Sequence, residues 1–287
     1  MRSMNLAEWY QENKRDLPWR HTTNEYHVLL IEVMSQQTQI SRVGKYLDRF
    51  TAQFPTLHDL ANAEQKDVII AWDGLGYNSR AVNLHKTAKI IISKFHGKLP
   101  VTVNDMLTLP GIGPYTARSI LVFTRNHHDI ALDVNMRRVW TRRLHGHDGV
   151  VKDDVLREQL TTIMTDPQTF HAATMDFANT LCLPKPKCAQ CPLQCRFKPV
   201  YQLHGENVLR KKVKKVEKGV TENGKHVPNR IFRGRVIKRL RESDQTFEQL
   251  TTVKKDYTEN DEIWLVKLLQ KLESENKIVI GDTVRLQ

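Results

Sequence analysis

Residues 103–123 read VNDMLTLPGIGPYTARSILVF, and the fold turns on how this stretch is interpreted. Two segments carry apolar residues at helical spacing, Val103 to Thr108 and Tyr115 to Phe123. Leu109-Pro110-Gly111-Ile112-Gly113 lies between them. Two glycines permit a tight hairpin that exposes backbone N–H groups at the start of the second helix. Such a helix start binds phosphate without a side-chain charge. Taken alone, a Pro-Gly turn is also compatible with a plain helix connection.

Working outward, Val43 to Phe54, Lys66 to Trp72, Ala81 to Phe95 and Asp154 to Met164 show the same helical spacing. Turn signals at Phe54-Pro55-Thr56, Gly74-Leu75-Gly76 and Gly97-Lys98-Leu99-Pro100 separate them. Strand-like alternation is almost absent before residue 198, so residues 1–198 are expected to form an all-α core. After Pro199 the composition shifts. Arg210-Lys211-Lys212-Val213-Lys214-Lys215 is a basic run, and 199–229 reads as a basic linker. Order returns at 230–287. Helices are expected at Ile231 to Arg241, Thr246 to Val253 and Asp261 to Glu275. A hairpin is expected from Ile278-Val279-Ile280 and Thr283-Val284-Arg285-Leu286 around Gly281-Asp282. Three helices followed by a hairpin is the order of a small winged-helix-like α+β module.

The 287 residues include 44 Lys and Arg against 32 Asp and Glu, a net charge of +12. That balance favours a polyanionic partner, most commonly nucleic acid. No apolar run approaches the ~20 residues of a membrane helix. Met1 to Arg20 is polar, without a signal-peptide stretch. A cytoplasmic location is expected, nucleoid-associated if the source is bacterial, with no membrane partner.

All four cysteines fall in one loop, spaced Cys182-x5-Cys188-x2-Cys191-x3-Cys195. Clustered thiolates in a cytosolic chain read as metal ligands. The spacing suits either an iron–sulfur cluster or zinc. Two carboxyls also stand out. Glu32 lies in the apolar run Val28-Leu29-Leu30-Ile31-Glu32-Val33-Met34, where desolvation favours its protonated form. A carboxyl protonated near neutral pH can act as a general acid. Asp133 follows Ile130-Ala131-Leu132 and reads first as a helix N-cap. A carboxylate there could also stabilise a sugar cation. Breaking an N-glycosidic bond needs both roles.

Leu17-Pro18-Trp19-Arg20, Glu32 to Gln39, Gly74 to Arg80, Leu109 to Ala117, Asp133-Val134-Asn135 and the cysteine loop occur together in this order. The arrangement resembles that of MutY-type adenine DNA glycosylases, in the helix-hairpin-helix superfamily that also contains endonuclease III. The resemblance covers about residues 5–198. It implies a two-lobed helix-hairpin-helix glycosylase core over 1–198, with a central six-helix lobe at about 25–130. The terminal helices and cysteine loop would form the second lobe, and a monomer would bind double-stranded DNA containing a mispaired or damaged base. It implies catalytic roles for Glu32, Asp133, Tyr115 and Asn135. It places Arg15, Trp19, Ser35 and Ala172 at the base pocket, and Gln37, Tyr77, Gly111 and Gly113 at DNA. Cys182, Cys188, Cys191 and Cys195 would hold a [4Fe–4S] cluster. Bifunctional relatives carry lysine where Tyr115 stands, so a monofunctional enzyme with little or no lyase activity is expected.

The chain departs from the family pattern at Ser35, where leucine is usual, at Val134, where glycine is usual, and at Ala172, where Glu or Gln is common. Its cysteine loop is shorter than the usual x6, x2, x5. The tail does not resemble the Nudix-like domain of longer relatives. The leading expectation is hydrolytic removal of adenine opposite 8-oxoguanine or guanine in base excision repair. Ser35 and Ala172 motivate an alternative, a thymine or uracil glycosylase acting opposite guanine. A non-catalytic DNA-binding protein is the remote third reading.

Overall fold

Local signals in the sequence place the helix starts. Asn5 and Glu8, Thr56 and Asp59, and Thr246 and Gln249 each form a capping box, exchanging side-chain and backbone hydrogen bonds across one turn. Proline occupies the first turn of the helices beginning at Pro114 and Pro167, where its missing N–H costs nothing. The computed structural model describes residues 4–17, 20, 22, 24–211 and 216–287, apart from the side chain of Ser41. Trp19, assigned above to the base pocket, lies outside the described residues, as do Lys212 to Lys215 of the basic run.

The elements in chain order begin with α1 (Leu6–Asn13), α2 (Glu25–Ser35), α3 (Ile40–Gln53), α4 (Leu57–Asn62), α5 (Gln65–Ala71) and α6 (Ser79–Phe95). Then come α7 (Val103–Leu107), α8 (Pro114–Arg125), α9 (Val134–Trp140), α10 (Asp153–Ile163), α11 (Pro167–Thr180) and α12 (Phe197–His204). The tail adds β1 (Gly219–Glu222), β2 (Lys225–Pro228), α13 (Asn229–Glu242), α14 (Phe247–Thr251), α15 (Glu262–Ser274), β3 (Ile278–Ile280) and β4 (Val284–Leu286). The mainly helical class and the small C-terminal module with short strands match the expectation from sequence. None of the described helices is long and apolar enough to cross a membrane.

The chain divides into two units. The first comprises Met1–Glu32, Pro100–Thr108 and Ile112–Val213. Its core gathers Trp9, Met136, Val139, Trp140, Leu156 and Phe177, with Trp9 edge-on to Phe177 at 5.1 Å between ring centres. The second comprises Val33–Leu99, Leu109–Gly111 and Lys214–Gln287. Its tail contributes Phe232, Val236, Leu240, Leu265 and Leu269 to a core that also includes Ile69 of α5 and Val82 of α6.

One part of 199–229 differs from the linker reading. β1 and β2 pair antiparallel with Glu222 opposite Lys225, turning at Asn223-Gly224, both with positive φ (48° and 75°). Asn-Gly suits the tight hairpin turn that matches strand twist. Glu222 ties the hairpin down: its carboxylate accepts from both terminal nitrogens of Arg235, at 2.6 and 2.9 Å, and from the Lys255 N–H at 2.8 Å.

Candidate active site and cysteine loop

Glu32 is one helical turn from the apolar residues that anchor α2, and in the first unit its carboxyl faces α8 and the start of α9. Burial is the main cause that raises its pKa from 4.5 to about 7. A nearby Ser119 hydroxyl opposes that rise, and the charge of Asp133 adds to it. Ser119 sits one turn after Tyr115 on α8, is 1% exposed, and its Oγ has no well-formed hydrogen bond. Burial raises the Tyr115 phenol well above its ordinary value, and the charges of Glu32 and Asp133 push it the same way. These four side chains therefore share one desolvated locus.

Asp133 is the N-cap that the sequence suggested. Its Oδ1 accepts from the N–H groups of Asn135 at 2.9 Å and Met136 at 2.7 Å, and its Oδ2 from the Asn135 side-chain amide at 2.7 Å. Burial raises its pKa, while the Met136 and Asn135 donors and the charge of Arg138 oppose the shift. Donors of that kind and a helix N-terminus favour the anion. Two carboxyls in contrasting surroundings can thus divide labour: Glu32 able to hold a proton at neutral pH, and Asp133 held for negative charge. Asn135 orients Asp133 directly.

Of the pocket residues suggested by sequence, Arg15 gives both its backbone N–H (2.9 Å) and its Nε (2.6 Å) to Asp176. Arg20 adds two further bonds to the same carboxylate, at 2.7 and 2.6 Å, and Asp176 is fully buried. Asp176 was missed from sequence; its signal is an acidic residue in the apolar run Ala172 to Ala178. Ala172 packs in the core of the first unit. Ser35 belongs to the second unit, its Oγ buried without a partner among the described residues.

The residues expected at DNA also lie mostly in the second unit. Gln37 and Tyr77 are exposed and hold left-handed backbone conformations, φ 56° and 48°. Such conformations cost a non-glycine residue free energy and recur at functional positions. The Tyr77 loop is held by arginines. Arg49 donates to the Ala71 and Asp73 carbonyls at 2.8 and 2.5 Å, and Arg42 to that of Gly74 at 2.9 Å. Arg80 reaches the Leu75 and Gly76 carbonyls at 2.9 and 3.1 Å, and those of Val33 and Met34 at 3.0 and 2.8 Å. These arginines went unrecognised in the sequence, because backbone carbonyls leave no side-chain pattern to pair with. In the hairpin, Gly111 has φ +78°, and a Cβ there would stand 3.0 Å from Asn83 Cβ. Gly113 is the N-cap of α8, followed by Pro114.

The four cysteines line one cavity with Arg142, Arg143, Phe177, Phe197 and Lys198. Burial, then the charges of Cys195, Cys182 and Cys191, raise the Cys188 thiol to about 11. Among the described residues no three His, Cys, Asp or Glu side chains are grouped as a single ion requires. Tetrahedral thiolates on one zinc would stand about 3.8 Å apart. The four cysteines share one cavity, and thiolates are the ligands that suit either zinc or an iron–sulfur cluster. The site is also prepared for negative charge. Arg142 donates to Cys182 Sγ at 3.7 Å and to the Leu183 and Pro184 carbonyls at 2.6 and 2.8 Å. Arg143 Nη1 is buried with no hydrogen-bond partner among the described residues. Both arginines lie on a single π turn, Thr141–His145, that continues α9. Arg138 of α9 donates from Nε to the Cys182 carbonyl at 2.8 Å, so one helix carries both the Asp133 cap and the edge of the cysteine loop.

Residues 30–164 match the family model described as HhH-GPD superfamily base excision DNA repair protein. The chain is 38% identical over 200 residues to an adenine DNA glycosylase of Mycolicibacterium smegmatis, covering 67% of this chain and 68% of that protein. It is 34% identical over 197 residues to one of Buchnera aphidicola, covering 66% and 56%. It is 37% identical over 210 residues to that of Mus musculus, covering 67% and 41%. The chain thus spans about two thirds of the first of these relatives and less of the others. A thermostable thymine-DNA glycosylase structure is similar with a TM-score of 0.64 at 26% identity, covering 68% of this chain and 94% of that one. An endonuclease III in a trapped covalent complex with DNA shares the fold, with a TM-score of 0.60 at 24% identity over 69% and 93%.

Proposed function

The chain belongs to the adenine DNA glycosylases of the HhH-GPD superfamily of base excision DNA repair proteins, and from that premise we propose that it hydrolyses the N-glycosidic bond of a flipped-out adenine opposite 8-oxoguanine or guanine. One observation carries the chemical part: a carboxyl raised to about 7, Glu32, beside a carboxylate with three hydrogen-bond donors, Asp133. Glu32 donates its proton to N7 of adenine. The C1′–N9 bond then breaks with its electron pair on N9, so that a neutral base leaves. The deoxyribose is left as an oxocarbenium ion, which Asp133 stabilises. Water adds at C1′ and gives its proton to the Glu32 carboxylate, which restores the acid and leaves an abasic site. Asn135 is the positioning residue for Asp133. Tyr115 keeps the locus dry and offers no amine, so little or no strand cleavage accompanies base release.

Gln37 and Tyr77 fit the role of wedges that enter the minor groove and offset the cost of unstacking. The hairpin from Leu109 to Gly113 supplies phosphate contacts through its backbone. Cys182, Cys188, Cys191 and Cys195 would hold a [4Fe–4S] cluster, with Arg142 and Arg143 as its cationic neighbours. When bound, the cluster supplies a covalent cross-link of the loop and a one-electron centre; no bond-breaking step passes through it. The pyrimidine alternative is not favoured, because the relatives at 34–38% identity carry the adenine name.

The test is a set of duplexes with A opposite 8-oxoguanine, A opposite G, T opposite G and U opposite G, each treated with alkali after incubation. Strand breaks at the adenine position are expected for the first two alone. Breaks confined to the pyrimidine duplexes overturn the adenine assignment. A borohydride-trapped adduct as abundant as the cleaved product overturns the monofunctional one.

A further inference from the structure

The tail from 216 to 287 lies beyond residues 30–164, which match the family model, yet it is built into the unit that carries Tyr77. Ile69 on α5 and Val82 on α6 flank the Tyr77 loop, and both are buried in one core with Phe232, Val236 and Leu269 of the tail. Arg241 of α13 donates to the Ile69 carbonyl at 3.0 Å and pairs with Asp73 inside the loop. Gln65 of α5 donates to the carbonyls of Asn276 and Gln287, at 2.7 and 3.3 Å. In the first turn of α13, Arg230 donates from Nε to Glu217 at 2.7 Å.

Charge within the tail is uneven. α13 reads NRIFRGRVIKRLRE, six basic residues against one acidic. Its inner face is apolar, with Phe232, Val236, Ile237 and Leu240 buried. Arg233 and Arg235 are taken up by Glu275 and Glu222. The exposed face carries Arg230, Gly234 and Lys238 at successive turns. Arg230 makes only a half-exposed ion pair with Glu217, weak enough to yield to another anion. Gly234 costs this helix about 1 kcal/mol relative to alanine. Nothing in the protein lies within 4 Å of where its Cβ would be, so internal packing does not require the glycine. A bare backbone between two cations suits the close approach of a linear polyanion.

We propose that the exposed face of α13, Arg230–Gly234–Lys238, is a second DNA-contact surface that takes backbone phosphates of the duplex engaged by Tyr77. This rests on the reading of the chain as a DNA glycosylase. It differs from what the winged-helix order alone suggests, where the third helix reads the groove. That helix, α15, reads EIWLVKLLQKLES, with equal numbers of acidic and basic residues and an acidic first turn.

The test uses the full chain and a fluorescent duplex carrying a non-cleavable adenine analogue opposite 8-oxoguanine, titrated across a salt series. Each lost phosphate contact lowers the magnitude of the log–log salt slope by about 0.9. The double variant Arg230→Gln with Lys238→Gln is expected to bind about tenfold more weakly at low salt, with the slope reduced by about 1 to 2. Gly234→Glu is expected to weaken binding comparably. Lys267→Gln with Lys271→Gln on α15 is expected to leave the slope unchanged. If the parent binds and the α13 variants keep its affinity and slope, the proposal is overturned while the glycosylase reading stands. Loss of slope in the α15 variant alone overturns it in favour of the third helix. A parent chain that does not bind the duplex overturns both readings.

Discussion

A carboxyl group that stays protonated near pH 7 weakens the fold that holds it. Glu32 binds its proton more tightly in the folded chain, at about 7, than at the ordinary value of 4.5. Between those values the folded state binds more protons than the unfolded one, so Glu32's contribution to stability falls as pH rises through the window. Glu32→Gln removes that loss. The variant is expected to melt at a higher temperature than the parent at pH 8, by the equivalent of about 1–3 kcal/mol, and to show no such gain at pH 4. Thermal melts at the two pH values check this; an equal shift at both would mean that titration is not the cause. Asp133 separates differently, because asparagine also caps helices. Asp133→Asn should change stability little yet slow base release by at least about 100-fold, as single-turnover rates and urea midpoints would show. Both carboxyls were legible in the sequence, one from its apolar setting and one from its capping position. Ser119 and Asp176 were not. Their significance comes from partners far away in sequence, Glu32 and Arg15 with Arg20, which no local pattern relates.

Elements show a similar division. α8 with its Pro114 start and α9 with its Asp133 cap are readable from local chemistry. The π turn after α9 is not, because its register depends on Arg142 and Arg143 reaching the cysteine loop. The β1–β2 hairpin carries an Asn223-Gly224 turn, but its strands are short, and Glu222 finds Arg235 only once α13 is folded. The Tyr77 loop is the element most dependent on tertiary contacts. Arg80 is 8% exposed and donates to four carbonyls, those of Val33, Met34, Leu75 and Gly76. Arg80→Met strips their buried donors and should cost about 2–4 kcal/mol in a denaturant titration. With Tyr77 as the proposed wedge, it should also weaken binding to mispaired DNA more than to undamaged duplex, since the carbonyls that hold the Tyr77 loop lose their donor. Equal loss on both duplexes would make Arg80 a purely structural residue.

At the scale of the whole molecule, the helical class, the hairpin and the cysteine loop were legible because each depends on short-range pattern. The partition of the tail was not: Ile69, Val82 and Arg241 join 216–287 to the unit containing Tyr77 through contacts of long sequence separation. The cysteine loop makes its own prediction. The purified chain should carry iron and sulfide in equal amounts with broad visible absorbance, and Cys188→Ser should lose both along with thermal stability. A colourless parent containing stoichiometric zinc would refute that. The central claim is that a protonated Glu32 and an ionised Asp133 together release adenine. Its most direct test is the pH dependence of single-turnover base release from a duplex with A opposite 8-oxoguanine. The account predicts a rate that falls about tenfold per pH unit above about 7, with Glu32→Gln slower by at least about 100-fold and without that limb. A parent rate flat from pH 6 to about 9, or a Glu32→Gln rate equal to the parent's, would contradict it.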